Sequence, residues 1–181
     1  MRLILYCFAA LVLVVLILWW TAPAVLQSGA LRLVEHLVSH SVAGSVPVDE
    51  MFPQDLEKRL QSHSARVVVL DVREEDEFRQ SHITTALHCP PNISSEEFVR
   101  RFGAVAQGKE VVWYCSVGKR SSDALLRLNT ACKQAGIKHS YNLRGGIFRW
   151  HNEGRTVSNG QGTASTVHPY NNIWGILLRR N

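Results

Sequence analysis

The sequence predicts an α/β domain, an open parallel sheet with helices on both faces, preceded by one transmembrane helix. Three observations carry this. From residue 45 onward, short strand-like runs alternate with stretches of helical periodicity, the pattern of strand–helix–strand crossovers. The run Val67–Leu70 is continuously apolar and β-branched, as a strand covered on both faces must be. At the amino end, Leu3–Trp20 is an unbroken apolar stretch of 18 residues.

Each element follows in chain order. As a helix, Leu3–Trp20 would span about 27 Å, close to the hydrocarbon thickness of a bilayer. No charge stands between Arg2 and Arg32, and Trp19 and Trp20 sit where an interfacial anchor belongs. Ala22-x-Ala24 resembles a cleavage site, but the apolar run is longer than a signal peptide's and ends in bulky residues. Residues 1–22 are therefore read as an uncleaved, single-pass anchor. Arg2 and the terminal amine favour that end inside, with Arg32 opposing, which places the domain on the non-cytoplasmic, periplasm-like side. Residues 23–44 are a juxtamembrane linker or helix. Leu26, Ala30, Leu33, Val34 and Leu37 share one helical face there, which suits the membrane surface and the domain surface equally.

The domain is placed at 45–157. Val46-Pro47-Val48 reads as a first strand or lead-in, Gln54–Ser62 as a helix with Leu56 and Leu60 on one face, and Val67–Leu70 as a strand running into Asp71. Glu74–Gln80 is a short acidic helix, and Ala86–His88 a weak strand stopped by Pro90-Pro91. Ser94-Ser95-Glu96-Glu97 has the composition of a helix start, with Phe98 and Phe102 on one face. Glu110–Tyr114 is the next strand. The helix after it carries Ala124, Leu125, Leu128, Ala131, Cys132 and Ala135 on one face and stops at Gly136. Tyr141–Leu143 is the last strand, and Gly145-Gly146 turns into a short helix with Phe148 and Trp150. Residues 158–181 form a polar linker, Ser158–Thr166, and an apolar tail with Tyr170, Trp174, Ile176 and Leu177. That tail is too apolar to be free and packs on the domain, the membrane or a partner.

Cys115 is the chemistry-bearing residue. It ends the strand 110–114 and opens the loop Ser116, Val117, Gly118, Lys119, Arg120, Ser121, after which a helix starts. Backbone N–H groups at a helix start, the positive end of its dipole and nearby cations all favour a thiolate. An inert strand-end cysteine would not need Gly118 to curl the backbone, nor Lys119 and Arg120 beside it. In open parallel sheets, sites lie outside the carboxyl ends of the strands, where both Asp71 and Cys115 stand.

Composition narrows the remaining classes. With 20 basic and 15 acidic residues the net charge is only +5, and there is no Lys/Arg run or nucleic-acid motif. A membrane and small anions are expected partners; nucleic acid is not. The four cysteines Cys7, Cys89, Cys115 and Cys132 contain no C-x-x-C pair, and the histidines complete no zinc spacing, so neither a metal nor a cofactor is expected. So few cysteines also make no disulfide framework. Cys7 lies in the apolar span, Cys132 on a core helix face, and Cys89 leaves a second-thiol role open.

Five blocks, in order, carry a family resemblance: Val69-Leu-Asp71-Val-Arg73; Glu77-Phe78; Ser81-His82-Ile83; Cys115-Ser-Val-Gly118-Lys-Arg120-Ser121; and Arg144-Gly-Gly146-Ile-Phe-Arg-Trp150, running into Gly154-Arg-Thr-Val157. Together they resemble a single rhodanese-like domain of the sulfurtransferase family, over about residues 45–157. The chain departs where the family often has Gly (Ser81 here) and Pro-Gly-Ala (Thr84-Thr85-Ala86), both in a turn away from the thiol. The resemblance implies a membrane-anchored, thiosulfate sulfurtransferase-like enzyme. Cys115 would take a sulfane sulfur from thiosulfate or a persulfide donor and pass it to cyanide, a thiol or a carrier protein. Residues 116–121 would cradle the persulfide. Lys119 and Arg120 would attract the anionic donor. Asp71 and Arg73 are read first as a structural ion pair and second as loop support. Two rivals stand beside this. A cysteine phosphatase would need a cradle one residue longer than the four between Cys115 and Arg120. A non-catalytic rhodanese-like binding or scaffold module at the membrane is the other.

Overall fold

The computed structural model describes residues 29–34, 36 and 48–179. In chain order these hold β1 (Glu50–Met51), α1 (Pro53–His63), a 3-10 turn (Ser64–Arg66), β2 (Val67–Asp71), α2 (Glu75–Gln80), β3 (His82–Ile83), β4 (Leu87–His88), α3 (Ser95–Ala106), β5 (Glu110–Tyr114), α4 (Lys119–Arg127), α5 (Asn129–Gln134), β6 (His139–Leu143), α6 (Gly146–Asn152), β7 (Val157–Ser158), β8 (Thr163–Ala164) and a closing 3-10 turn (Trp174–Leu177).

Five strands make one parallel sheet in the order β1-β6-β5-β2-β4. Central β2 and β5 run in register from Val67↔Glu110 to Asp71↔Tyr114. Because side chains alternate along a strand, β2 sends Val67 and Val69 into one core cluster and Val68 and Leu70 into the other. Leu56 of α1 and Ile147, Phe148 and Trp150 of α6 cover the first face. Phe98, Phe102 and Ala106 of α3, with Ala124, Leu125, Ala131 and Cys132 of α4 and α5, cover the second. The predicted α/β architecture is therefore present, each fully buried Leu or Phe contributing about 1.5–3 kcal/mol.

Local chemistry fixes the ends. Pro53 sits in the first turn of α1, where its missing N–H is harmless. Glu74 and Glu77 form a reciprocal capping box at the head of α2, and the Ser94 hydroxyl accepts the Glu97 N–H at the head of α3. At the end of α5, Gly136 N–H reaches Lys133 O and Ile137 N–H reaches Cys132 O, the double closure of a Schellman motif.

The first strand among the described residues is Glu50–Met51, buried at Met51 by its pairing with Leu143 of β6; Val48 stands before it as a lead-in, and residues 46 and 47 of the expected segment lie outside the described residues. Two expectations change. The single helix expected after Cys115 is interrupted at Leu128, whose ψ is 9°, although Leu128 and Cys132 N–H still reach Ala124 O and Leu128 O. The polar stretch 158–166 includes β8, which pairs with β7, and β7 pairs with β3, in a second, antiparallel sheet.

The expected anchor, residues 1–22, lies outside the described residues. Among the described residues no helix is long and apolar enough to cross a membrane. The helical residues 29–34 bury Leu31 in the same cluster as α1 and α6, so this segment packs on the domain. The tail packs there too, through Val167, Leu177 and Leu178. Asn152 at the end of α6 clamps it: Asn152 Nδ2 donates to Leu177 O at 2.7 Å, and Asn152 Oδ1 accepts the Arg179 N–H at 2.9 Å.

Candidate active site

Cys115 follows the last residue of β5, at the carboxyl edge of the parallel sheet. Its Sγ accepts the Gly118 N–H at 3.2 Å, inside a loop that is buried from Cys115 to Gly118. Gly118 makes this curl with φ +102°, and a Cβ on it would press on Asn142 Nδ2 at 3.2 Å. The helix α4 starts at the next residue. Its first turn is tied back by Ser121, whose hydroxyl contacts Gly118 O at 3.1 Å and Asn142 Oδ1 at 2.7 Å. Asn142, buried on β6, is thus the rear support of the loop.

The start of α6 forms the floor. Ile147 N–H donates to Cys115 O (2.9 Å) and Phe148 N–H to Ser116 O (3.1 Å). Gly146 lies so close that a Cβ would come within 2.3 Å of Cys115 O and 2.6 Å of Ser116 O. Real Cβ atoms do not approach oxygen like this, so the glycine is required by the contact as well as by its φ of +56°.

The two cations of the loop have different surroundings. Lys119 points along the exposed side of α4 and pairs with Asp123 at 2.6 Å. Arg120 turns inward. Its Nη1 and Nη2 donate to the two oxygens of Glu77 at 2.8 and 2.9 Å, and Nη2 also reaches Ser116 Oγ at 3.0 Å. Glu77 is 2 % exposed. Burial pushes its carboxyl upward, but the hydrogen bonds and charge of Arg120 outweigh that and hold it below 4.5. Burial likewise pulls the Arg120 guanidinium down, and the hydrogen bonds and charge of Glu77 bring it back above its ordinary value. On the outer side, the ring of Tyr170 lies 4.7 Å from Arg120 Cζ.

Asp71 and Arg73 form a fully buried ion pair at the end of β2, with Nη2 to Oδ2 at 2.6 Å and Nε to Oδ1 at 2.9 Å. Arg73 Nη2 also holds Ser81 O at 2.6 Å. Tyr114 Oη accepts the Ile83 N–H at 3.1 Å, so this network joins the main sheet to β3. Cys89 and Cys115 flank Val72 on opposite sides, since Asp71 pairs with both His88 and Tyr114. Two strand spacings, about 10 Å, separate them, too far for a disulfide without backbone movement. Burial pushes the Cys89 thiol up to about 12 and the Cys132 thiol up to about 11. No cluster of His, Cys, Asp or Glu among the described residues could hold a metal.

The site therefore joins Cys115, Ser116, Val117, Gly118, Arg120 and Ser121, with Lys119 outside the inner ring and Asp71–Arg73 at the end of the neighbouring strand. Sequence reasoning missed Glu77, Asn142, Gly146 and Tyr170 as members. Glu77 is legible as half of a capping box, but nothing in the spacing reveals its partner 43 residues away. The others touch the loop only through tertiary packing.

A profile of the rhodanese-like domain matches residues 52–153, more than half of the chain. The chain belongs to the rhodanese-like domain family. A sulfurtransferase of Allochromatium vinosum is 31 % identical over 110 residues, which cover 61 % of this chain and 94 % of that protein. An uncharacterized protein of Synechocystis is 34 % identical over 88 residues, 49 % of this chain and 45 % of the relative, so the chain spans less than half the length of that protein. A thiosulfate sulfurtransferase of Pseudomonas aeruginosa shares the fold, with a TM-score of 0.52 at 22 % identity, over 71 % of this chain and 22 % of that one. In this rhodanese-like domain the matched segment contains Cys115, Glu77, Asn142 and Gly146, while Tyr170 lies beyond it.

Proposed function

We propose that the domain is a sulfurtransferase working through a Cys115 persulfide. The observation that carries this is a recessed sulfur, 1 % exposed, that accepts the Gly118 N–H at the head of α4. The family, and a sulfurtransferase relative matched over nearly its whole length, support the reading. In the first step the Cys115 thiolate attacks the outer sulfur of thiosulfate or a persulfide. A Cys115 S–S bond forms, the donor S–S bond breaks, and the electron pair leaves with sulfite or a thiolate. In the second, cyanide or an acceptor thiolate attacks the outer sulfur, Cys115 leaves as thiolate, and thiocyanate or a new persulfide departs. Both are thiol-exchange displacements. The loop N–H groups act as an anion nest for the terminal sulfur. Because Arg120 is committed to Glu77, its part is to hold Ser116 and lend positive charge, while the donor is drawn by the loop field as a whole.

The test is direct. Full-length protein in detergent, incubated with thiosulfate, gains the mass of one sulfur on the Cys115 peptide, and Cys115→Ser gains none. An unloaded wild type refutes the reading. The pairing of both loop cations, Lys119 with Asp123 and Arg120 with Glu77, favours a second reading, a binding module at the membrane; that outcome would leave partner binding intact in Cys115→Ser. The reading includes a membrane anchor at 1–22, supported by the charge-free apolar run, with the domain on the non-cytoplasmic side, supported by Arg2 and the terminal amine. A carboxyl-terminal reporter active only in the cytoplasm, found active, removes that orientation.

A further inference from the structure

We infer that Tyr170, from the tail beyond the matched family segment, is a specificity-determining residue of this site: its ring, resting on Arg120, forms an apolar wall on the outer side of the loop that Cys115 opens, and favours sulfur acceptors with an organic body over small inorganic ones. This rests on the sulfurtransferase reading above.

Four observations meet here. Tyr170 is the non-glycine residue with positive φ (+65°) among the described residues, a conformation that an aromatic adopts only when its surroundings impose it. The surroundings do impose it. Tyr170 N–H donates to His168 Nδ1 and Asn171 N–H to Pro169 O, the Asn171 side chain accepts the Ile173 and Trp174 N–H groups, and Gly175 closes on Pro169. The turn is anchored at both sides by buried Val167 and by Leu177 and Leu178, so the ring does not depend on its own contact for its position.

The ring is not core. It is 48 % exposed while resting on the Arg120 guanidinium at 4.7 Å. Arg120 needs no help in holding its place, since Glu77 and Ser116 already take its terminal nitrogens. A half-exposed cation–π contact adds little to that grip. What the ring does supply is an apolar, polarisable face at the rim of a charged, recessed loop. A compact anion such as cyanide gains nothing from such a face. A thiol carried on a peptide or other organic body gains contact area there, with any carboxylate on it free to approach the cationic rim.

The experiment uses full-length protein in detergent with thiosulfate as donor and compares two acceptors, cyanide and glutathione, in wild type, Tyr170→Ala, Tyr170→Phe and Gly175→Val. Added side-chain atoms at Gly175 would press on Pro169 Cβ, 3.0 Å away, and shift the turn that carries the ring while leaving the chemistry of the ring and the sequence of the Cys115 loop unchanged. The ratio of glutathione KM to cyanide KM is expected to rise about three- to fivefold in Tyr170→Ala, to rise likewise in Gly175→Val, and to return to the wild-type value in Tyr170→Phe. An unchanged ratio in Tyr170→Ala overturns the proposal. So does a parallel rise of both KM values, which would make the ring a support for the loop. Failure of wild-type Cys115 to gain a sulfur from thiosulfate is a separate result and removes the sulfurtransferase reading itself.

Discussion

Arg120 grips Glu77 across 43 residues of chain by two near-parallel hydrogen bonds of 2.8 and 2.9 Å, and the same guanidinium holds Ser116 Oγ at 3.0 Å. The short helix α2 is thereby tied to the loop that presents Cys115. The fork geometry belongs to arginine, since an ammonium cannot bridge both carboxylate oxygens in a plane. The Arg120 side chain is 28 % exposed, so part of the interaction is screened by solvent.

Breaking this fork should loosen the loop. Glu77→Ala is expected to lower the unfolding free energy by about 1–3 kcal/mol, read by urea denaturation. Arg120→Lys should recover less than half of the loss caused by Arg120→Ala. A lysine variant as stable as wild type would show that charge alone suffices.

The pH dependence has a defined sign. The Glu77 carboxyl is held below 4.5 in the folded chain and returns to about that value when unfolded. Its contribution is complete above 4.5. It shrinks as pH falls below 4.5, where the unfolded chain takes the proton first, and is gone below the folded value. The stability gap between wild type and Glu77→Gln should therefore narrow as the pH falls below the ordinary carboxylate range, and a gap that widens there would contradict the pairing.

Gly146 and Gly108 both have positive φ, but only Gly146 is crowded, by Cys115 O, while nothing stands within 4 Å of a Cβ at Gly108. Gly108→Ala should cost about 1 kcal/mol from backbone strain alone. Gly146→Ala must displace the Cys115 loop as well and is expected to cost at least about 3 kcal/mol, with loss of sulfur loading in whatever fraction folds. Equal effects at the two positions, measured by thermal denaturation, would argue against the close approach.

Asp71→Asn removes the charge that balances a fully buried Arg73. About 3–5 kcal/mol of stability should go with it. Per folded molecule, the sulfur-loading rate should stay within a factor of about two, because the pair sits at the end of β2 and bonds to Ser81 O, with no hydrogen bond to Cys115 or its loop among the described residues. A loading rate that collapses in a variant still folded by circular dichroism would assign the pair a direct part.

The thiols at Cys89 and Cys132, pushed up to about 12 and about 11 by burial, should resist iodoacetamide in the native protein at neutral pH and react only after unfolding. Peptide mapping distinguishes them from Cys115, which is expected to be blocked selectively once thiosulfate has been removed. Rapid native labelling of Cys89 would mean that the face of the sheet it occupies opens readily.

The strands Val67–Asp71 and Glu110–Tyr114, the helix start at Ser94, and the position of Cys115 at a strand end are written in local pattern. A continuous β-branched run, a capping residue or a loop glycine acts through neighbours a few residues away, so the chain displays them directly. The membrane anchor is likewise a statement of local hydropathy, and it stays a proposal. What the fold decided lies at long range. Glu77 meets Arg120, Asn142 meets Ser121, Gly146 meets the Cys115 carbonyl and Tyr170 meets Arg120 only because parallel crossovers bring distant segments to one edge of the sheet. No periodicity encodes such a meeting, since each depends on which helix covers which face and on distances of a few ångströms set by packing across both.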